Sequence, residues 1–337
     1  MRNKLLMGAA IALTIFCWGT YGPILRMGQV GMATVANEVA RLRPFVCVGL
    51  AYCLIGVIVP AIWLHYKGEK GDWTITGIIW SLAGGALGAI GALGIVLAFT
   101  FGGAPGYVMP LVFGGAPVIN AFLTIYWAGR GKEIGPWFLA GLVMVILGAV
   151  TVLVTGPHAP TATATTTVAS WIAILLSIAL ALVSWGAYGP VLHKGQAAMH
   201  HSRLRPLICV GVAYFVIAVI VPYFFLGEMG ENSSYLKFGT VWALLGGACG
   251  AVGALGIILA FAFGGKPVFV MPLVFGGAPV ITTMWSGHFG SWFLAGLILV
   301  IAGAVMVLVM APRGEKSPEP RVQTPEPETA SVPSSGS

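Results

Sequence analysis

The sequence predicts an all-α membrane protein whose ten transmembrane helices form two inverted five-helix repeats. Three observations lead to this prediction. Only 8% of the 337 residues are charged and 58% are hydrophobic, whereas a soluble domain carries about 25% charged residues. Ten apolar segments follow one another along the chain, and the second half of the chain repeats the first. Such segments should be helices, because in lipid only helices and closed barrels satisfy the backbone hydrogen bonds.

The ten predicted spans are close in length to the ~20 apolar residues that a helix needs to cross the hydrocarbon core. They lie at 5–25, 44–65, 74–101, 107–128, 136–155, 169–191, 206–226, 238–263, 267–286 and 291–311. The third and the eighth exceed this minimum, so we expect them to tilt or to extend beyond the membrane.

The first span has the basic start and short apolar core of a secretory signal peptide. Its pattern WGTYGP at 18–23, however, recurs as WGAYGP at 185–190, in the middle of the chain. A signal peptide cannot lie there, so the first segment is expected to stay in the protein as a span.

The internal repeat runs through the whole five-span unit. Residues 84–119 match 246–281 at 29 of 36 positions, and residues 41–60 match 203–222 at 14 of 20. Five is an odd number of crossings, so the second repeat should be inverted relative to the first, as in many secondary transporters.

The predicted organisation has four parts. The first repeat covers 1–155, a Thr/Ala-rich outer linker 156–168, the second repeat 169–311, and a tail 312–337 follows. The tail is rich in Pro, Ser, Thr and Glu and is predicted to be disordered.

The distribution of basic residues predicts the orientation. With the N-terminus inside, thirteen lysines and arginines lie on the inner face and four on the outer face. Cytoplasmic loops carry the excess of these residues. Both termini are therefore expected in the cytoplasm, and the protein in the plasma (cell inner) membrane.

One arginine pair does not follow this bias. Arg41 and Arg43 lie on the predicted outer face, and Arg203 and Arg205 are their inner-face equivalents. These arginines either snorkel at the helix ends or attract anionic or hydroxyl-rich solutes to the two mouths of a pathway. Both interpretations stay open.

The chemistry of the spans argues against an enzyme. All ten acidic residues lie outside the spans, and no metalloprotease, nucleophile-elbow or phosphate-loop motif is present. The five cysteines form no metal-binding pattern and are interpreted as packing residues. We therefore expect no metal and no cofactor. The net charge of +7 comes without a basic block, so no nucleic-acid partner is predicted.

Aromatic and polar side chains at matching positions of the two halves are the candidate substrate-binding residues. Aromatic rings with a hydrogen-bonding tip suit sugars, nucleosides or other ring metabolites, although they also form membrane belts. A buried amide or hydroxyl can bond a substrate, although a bond to another helix is the simpler interpretation. The candidates are Trp18, Tyr21, Tyr52, Asn120, Trp185, Tyr188, Tyr214 and Thr282.

Prolines in the duplicated block are candidate hinges. Each removes one helix hydrogen bond and permits a kink, and the adjacent GGAP sequences weaken the same helices. In transporters, broken helices at matching positions point to the binding site. The candidate hinges are Pro110, Pro117, Pro272 and Pro279.

These motifs together resemble the drug/metabolite transporter superfamily, in particular its ten-helix EamA-like members. The resemblance covers about residues 5 to 311 and rests on features that appear in the same order in both halves. Trp-Gly lies in the first helix of each repeat, an arginine opens the second, a proline interrupts the fourth, and two glycines lie seven apart in the fifth. The residues are Trp18, Arg43, Pro117, Gly141 and Gly148, then Trp185, Arg205, Pro279, Gly296 and Gly303.

The resemblance implies a cavity at a pseudo-two-fold axis, lined by helices 1–4 and 6–9. The Tyr-Gly-Pro after Trp-Gly is also similar to the sugar-uptake branch. Two features depart from the family: Glu133 matches an acidic loop position in the first half only, and the membrane glutamate of the small four-helix relatives is absent. Drug efflux by proton exchange is accordingly not expected.

The function predicted from the sequence is alternating-access transport of a small polar or amphipathic metabolite, by facilitation or exchange. One alternative is a proton- or sodium-coupled sugar importer, and another is a non-transporting membrane scaffold or sensor. The expected partners are a small-molecule substrate and the lipid bilayer, and a homo-oligomer stays open.

Overall fold

A computed structural model describes residues 2–33, 39–127, 129, 134–155, 167–227, 235, 237–265, 267–287 and 290–310. Within this part of the chain every regular element is helical, which confirms the all-α prediction. Both the predicted tail at 312–337 and residues 156–166 of the predicted linker lie outside the described residues.

Twelve α-helices follow one another along the described chain. They are α1 Arg2–Gly31, α2 Leu42–Tyr52, α3 Val59–Lys67, α4 Ile75–Thr100, α5 Pro105–Trp127, α6 Pro136–Thr155, α7 Val168–Ala198, α8 Leu204–Phe215, α9 Val221–Phe225, α10 Lys237–Ala262, α11 Pro267–Ser286 and α12 Ser291–Met310. The first helix extends beyond the predicted 5–25, and α7 extends beyond 169–191.

Seven helical stretches of the described chain are long and apolar enough to cross a membrane. This confirms the expectation of a helical membrane protein. Two of the seven join neighbouring helices: Leu42–Lys67 contains α2 and α3, and Leu204–Phe225 contains α8 and α9. Three shorter apolar stretches lie in the remaining helices, at Pro136–Val152, Leu273–Trp285 and Ser291–Val307.

Two π-helical stretches, which the sequence did not predict, separate α2 from α3 and α8 from α9. They run over Cys53–Ile58 and Val216–Ile220. Each precedes a proline, Pro60 or Pro222, at the start of the next helix. A proline has no N–H and its ring collides with the carbonyl four residues earlier. The wider π turn accommodates that carbonyl, and such turns occur frequently at functional sites.

Close helix contacts come in sequence-equivalent pairs. A Cβ atom on Gly28 of α1 would lie 2.8 Å from the amide nitrogen of Ala243 in α10. At the equivalent contact, a Cβ on Gly195 of α7 would lie 2.7 Å from the amide nitrogen of Ser81 in α4. Only glycine permits backbones to approach this closely. The pairs α1–α10 and α4–α7 therefore hold helices from different halves of the chain together.

The candidate hinge prolines lie inside continuous helices. Pro110 and Pro117 are interior residues of α5, and Pro272 and Pro279 lie within α11, which is helical from Pro267 to Ser286. Their hinge role stays a prediction.

Candidate functional site

One cavity lies where α1, α2, α4, α7, α8 and α10 meet. The volume of this cavity is about 20 Å³. One water molecule needs roughly 10–15 Å³, so the cavity has room for about one water. A metabolite needs a pocket of several hundred Å³, so the rings around this cavity must separate before one can bind. The lining residues are Trp18, Tyr21, Tyr52, Gly88, Trp185, Tyr188, Tyr214 and Gly250.

The two tryptophans are held by equivalent hydrogen bonds to the opposite half. The indole nitrogen of Trp18 donates to the carbonyl oxygen of Gly250 at 3.3 Å. The indole nitrogen of Trp185 donates to the carbonyl oxygen of Gly88 at 3.1 Å. The two indole rings are nearly parallel, with centroids 6.2 Å apart and planes at 19°. Both indole N–H groups are therefore used within the protein.

Tyr21 and Tyr188 pack edge-on against the tryptophan of the opposite half. Tyr21 lies 6.0 Å from Trp185 at 61°, and Tyr188 lies 6.1 Å from Trp18 at 64°. Both tyrosine hydroxyl groups are buried, and neither has a hydrogen-bond partner among the described residues. A buried hydroxyl without a partner is costly. These two groups can therefore bind a polar atom of a ligand.

Tyr52 and Tyr214 form the tightest ring contact of the site. Their centroids are 3.5 Å apart and their planes differ by 2°, so the rings lie face to face. Tyr52 is the last residue of α2, and its π-helical stretch begins at the next residue. Tyr214 is the penultimate residue of α8, and its π-helical stretch begins two residues later.

Gly88 and Gly250 also line the cavity, although neither was a candidate site residue. A Cβ on Gly88 would lie 2.9 Å from Cε2 of Tyr214, and one on Gly250 would lie 3.0 Å from Cε2 of Tyr52. Each glycine thus leaves room for one tyrosine ring and presents its carbonyl to one indole. Glycines recur every three residues around both positions, at 85, 88, 91 and 94 and at 247, 250, 253 and 256, but this spacing does not show which ring each glycine accommodates.

The duplicated block contributes two phenylalanines next to this cluster. The ring of Phe113 lies 5.6 Å from that of Trp185 and 6.2 Å from that of Phe275. Phe113 and Phe275 directly precede the two GGAP sequences. A movement of α5 or α11 would therefore displace these phenylalanine rings and, through their contacts, the tryptophan rings.

Asn120 and Thr282 are buried but do not line the cavity. The hydroxyl of Thr282 donates to the carbonyl oxygen of Gly19 at 2.7 Å and so joins α11 to α1. Asn120 is 2% exposed. For both residues, a role in substrate binding stays a prediction.

The four candidate mouth arginines have different surroundings. Arg43 is buried, and its Nη2 donates to the carbonyl oxygen of Met32 at 2.9 Å. Arg41 and Arg203 are exposed, and the guanidinium of Arg203 lies 5.0 Å from the ring centre of Phe263. Arg205 is half-buried, with Nη1 3.9 Å from Oε2 of Glu69. Arg43 is thus more deeply buried than its counterpart Arg205, whereas Arg41 and Arg203 are both exposed.

Glu69 organises the start of α8, a role that the sequence analysis did not predict. Its Oε2 accepts hydrogen bonds from the hydroxyl of Ser202 at 2.7 Å and the backbone N–H of Leu204 at 3.0 Å. Its Oε1 accepts one from the backbone N–H of Arg203 at 2.8 Å. A carboxylate at a helix N-terminus is stabilised by the free N–H groups and the helix dipole. Through these hydrogen bonds, Glu69 attaches the loop between α3 and α4 to the N-terminus of α8.

Two buried glutamines lie at equivalent positions near the C-terminal ends of α1 and α7 and bond to neighbouring parts of the chain. Nε2 of Gln29 donates to the carbonyl oxygens of Ala40 and Val96, each at 3.2 Å. Nε2 of Gln196 donates to the carbonyl oxygen of Ile258 at 3.2 Å. Neither Oε1 atom has a hydrogen-bond partner among the described residues. The bonds to Val96 and Ile258 join α1 to α4 and α7 to α10 at equivalent positions, and the bond to Ala40 joins α1 to the loop before α2.

The described residues offer little for a metal ion, since no three His, Cys, Asp or Glu side chains in this part of the chain form a suitable group. The cavity itself is lined by aromatic rings, two glycines and no charged side chain among the described residues. Such a site can bind by ring stacking and by a few hydrogen bonds.

Comparisons with known proteins give information on the fold and none on the chemistry of the site. No protein-family model and no curated protein matches the chain. Twenty-seven chains of solved structures do match. One crystal structure aligns over 93% of this chain and 99% of its own, with a TM-score of 0.57 and 18% sequence identity. At this identity the similarity shows a shared fold alone.

Proposed function

We propose that this chain is a secondary transporter that moves a small polar or amphipathic metabolite across the plasma membrane by alternating access, as a facilitator or exchanger. One observation carries the proposal. Three pairs of sequence-equivalent aromatic residues, one of each pair from each half of the chain, surround the same cavity. Many carriers that expose one site alternately to the two sides of a membrane place that site between two similar halves.

The proposal includes the architecture of ten spans in two inverted repeats and membership of the EamA-like group of drug/metabolite transporters. The duplicated sequence and the paired contacts α1–α10 and α4–α7 support it. Both termini are placed in the cytoplasm on the basis of the lysine and arginine distribution. Pro117 and Pro279 are proposed as hinges and the arginines as mouth residues, with the lipid bilayer as the surrounding partner.

Transport is tested by uptake and efflux of a metabolite panel in proteoliposomes, with and without a pH or sodium gradient. We expect flux of at least one ring-containing metabolite down its own gradient, without an ion gradient. Flux strictly dependent on an ion gradient would replace the facilitator with the coupled sugar importer. The absence of flux for every compound would favour a scaffold or sensor.

A variant pair sharpens this test. Trp18→Ala and Trp185→Ala each remove a ring that lines the cavity, whereas Trp137→Ala removes a tryptophan that is 66% exposed and is not a lining residue. Flux should fall in the first two variants and persist in the third. Equal flux in all three would contradict the assignment of the site.

A further inference from the structure

We infer that the substrate of this site is an uncharged ring compound with one hydroxyl group, which binds between the hydroxyl groups of Tyr21 and Tyr188. The inference rests on the proposed transport function and adds the substrate class. It starts from these two tyrosines, which line the cavity at equivalent positions of α1 and α7. Each is 3% exposed, and neither hydroxyl has a hydrogen-bond partner among the described residues.

The other two tyrosines of the cavity differ in this respect. The hydroxyl groups of Tyr52 and Tyr214 are hydrogen-bonded to each other, and the two rings are in direct contact with centroids 3.5 Å apart. Tyr21 and Tyr188 lie near enough to interact electrostatically with both. Of these four neighbouring hydroxyl groups, two already satisfy each other. The polar group of a ligand is therefore expected at the other two.

A hydroxyl group on the ligand would supply the missing partner to both tyrosines. A buried hydroxyl without a partner is costly, so a single group that bonds to two of them gains at both. A hydroxyl carries one donor and can accept at two positions. It can therefore bond to Tyr21 and Tyr188 in any combination of donor and acceptor, whereas a carbonyl oxygen requires both tyrosines to donate.

The lining of the cavity disfavours ions of either sign. A carboxylate could accept from both tyrosines and an ammonium group could donate to both. Either would bring its charge among aromatic rings and glycines, with no opposite charge in the described lining. An unpaired buried charge costs far more than a buried hydroxyl. The substrate is therefore uncharged.

A sugar is disfavoured by the number of its hydroxyl groups. Each of them needs a partner once it is buried. Both indole N–H groups already donate to Gly88 and Gly250, and Tyr52 and Tyr214 bond to each other. The described lining thus leaves free hydroxyl groups for one small polar substituent.

The ring of the ligand is placed against the two indoles. Trp18 lies three residues before Tyr21, and Trp185 three residues before Tyr188, so each pair shares one helix face. The indole centroids are 6.2 Å apart, whereas carbon atoms in contact are about 3.5–4 Å apart. The cavity of about 20 Å³ must still widen before a ring can enter.

The experiment compares four ligands that share a pyridine ring and differ in one substituent. They are 3-pyridinemethanol, which carries the hydroxyl, 3-ethylpyridine, which lacks it, 3-(aminomethyl)pyridine, a cation, and nicotinate, an anion. Binding to the full-length protein in nanodiscs is measured by calorimetry at neutral pH, and empty nanodiscs correct for uptake by the lipid. We expect the alcohol to bind about fiftyfold more tightly than 3-ethylpyridine, as for two hydrogen bonds of about five- to tenfold each. Both ions should bind more weakly than the alcohol.

Variants locate the effect at the two hydroxyl groups. Tyr21→Phe and Tyr188→Phe each remove one of them and should reduce the preference for the alcohol to about five- to tenfold, since one bond remains. Both variants should bind 3-ethylpyridine as tightly as the unchanged protein does, because the rings stay in place. Tyr126→Phe, at a tyrosine that is 79% exposed and is not a lining residue, is the control and should change nothing.

The outcomes separate this inference from the proposed function. An ion or 3-ethylpyridine that binds as tightly as the alcohol would overturn the inference, as would binding of none of the four compounds. If another metabolite nevertheless crosses the proteoliposome membrane, transport stands and only the substrate class is wrong. If a phenylalanine variant does not yield folded protein, the order of the four ligands on the unchanged chain decides the question.

Discussion

The indole nitrogen of Trp18 lies 3.3 Å from the carbonyl oxygen of Gly250 and donates a hydrogen bond to it across the two halves of the chain. Trp185 makes the equivalent bond to Gly88 at 3.1 Å. These two bonds orient the indole rings that line the cavity. They also connect the helices that would have to move against each other during alternating access.

Replacing either tryptophan by phenylalanine should weaken this connection. Trp18→Phe and Trp185→Phe keep an aromatic ring but leave the carbonyl oxygen of Gly250 or Gly88 without its donor. Loss of such a bond costs about 1 kcal/mol of stability, because each carbonyl lies inside a helix and still accepts its backbone hydrogen bond. Thermal unfolding in detergent measures the change, with Trp137→Phe as the exposed control. An unaltered midpoint in both variants would contradict the role of the bonds.

The two glycines of the cavity should tolerate no side chain. Gly88→Ala and Gly250→Ala place a methyl group within 2.9 Å and 3.0 Å of the Tyr214 and Tyr52 rings. The rings must then shift, and overpacking of this kind costs typically 1–3 kcal/mol. We expect transport to fall severalfold in proteoliposomes. Gly8→Ala is the matched control, because nothing lies within 4 Å of its added Cβ; equal transport in all three would show that the rings are free to move away.

The hydroxyl groups of Tyr21 and Tyr188 should matter for ligand binding rather than for stability. Each is buried without a partner among the described residues, so removing it relieves an unsatisfied group. Tyr21→Phe and Tyr188→Phe are expected to unfold at the same temperature as the unchanged protein or higher, while the KM for the transported substrate rises about five- to tenfold, as for one lost hydrogen bond. Loss of stability together with an unchanged KM would assign both hydroxyl groups to the fold.

The prolines of the duplicated block are expected to act as hinges. Pro117→Ala and Pro279→Ala restore a helix hydrogen bond inside α5 and α11 and should slow transport while expression stays the same. The control is Pro105→Ala, at the first residue of α5, where a proline removes no helical bond. Initial rates normalised to the amount of protein are the measurement. Unchanged rates in both hinge variants would remove the hinge assignment.

Glu69 should stabilise the junction between the loop before α4 and the start of α8. Glu69→Gln removes the charge that accepts bonds from Ser202 and the backbone of Arg203 and Leu204. Hydrogen bonds to a charged group contribute about 1.5–3 kcal/mol, so the variant should unfold at a lower temperature. Asp72→Asn is the control, because the Asp72 side chain is 75% exposed in its pair with His200. Equal midpoints in the two variants would argue against a structural role of Glu69.

Much of the candidate site could be predicted, because the same aromatic residues recur at equivalent positions of the two halves. Six of the eight candidate binding residues line one cavity, and all six were recognised as aromatic residues at matching positions of the two halves. Asn120 and Thr282 also occupy equivalent positions of the two halves, yet they do not line the cavity. An equivalent position does not determine the direction in which a side chain points. The π-helical stretches had a local signal in Pro60 and Pro222, but a proline in an apolar run is equally compatible with a simple kink.

Composition and periodicity alone established a helical membrane protein in two similar halves, because lipid requires internal hydrogen bonding and long apolar segments whatever the neighbours are. Partners distant in sequence could be recognised only once the chain was folded. The Trp18–Gly250 bond joins residues 232 positions apart, and the Arg205–Glu69 contact joins residues 136 positions apart. The 3.5 Å spacing of Tyr52 and Tyr214 likewise depends on how α2 and α8 pack. Such distances arise from the packing of whole helices, to which every residue of the interface contributes, and no local pattern encodes them.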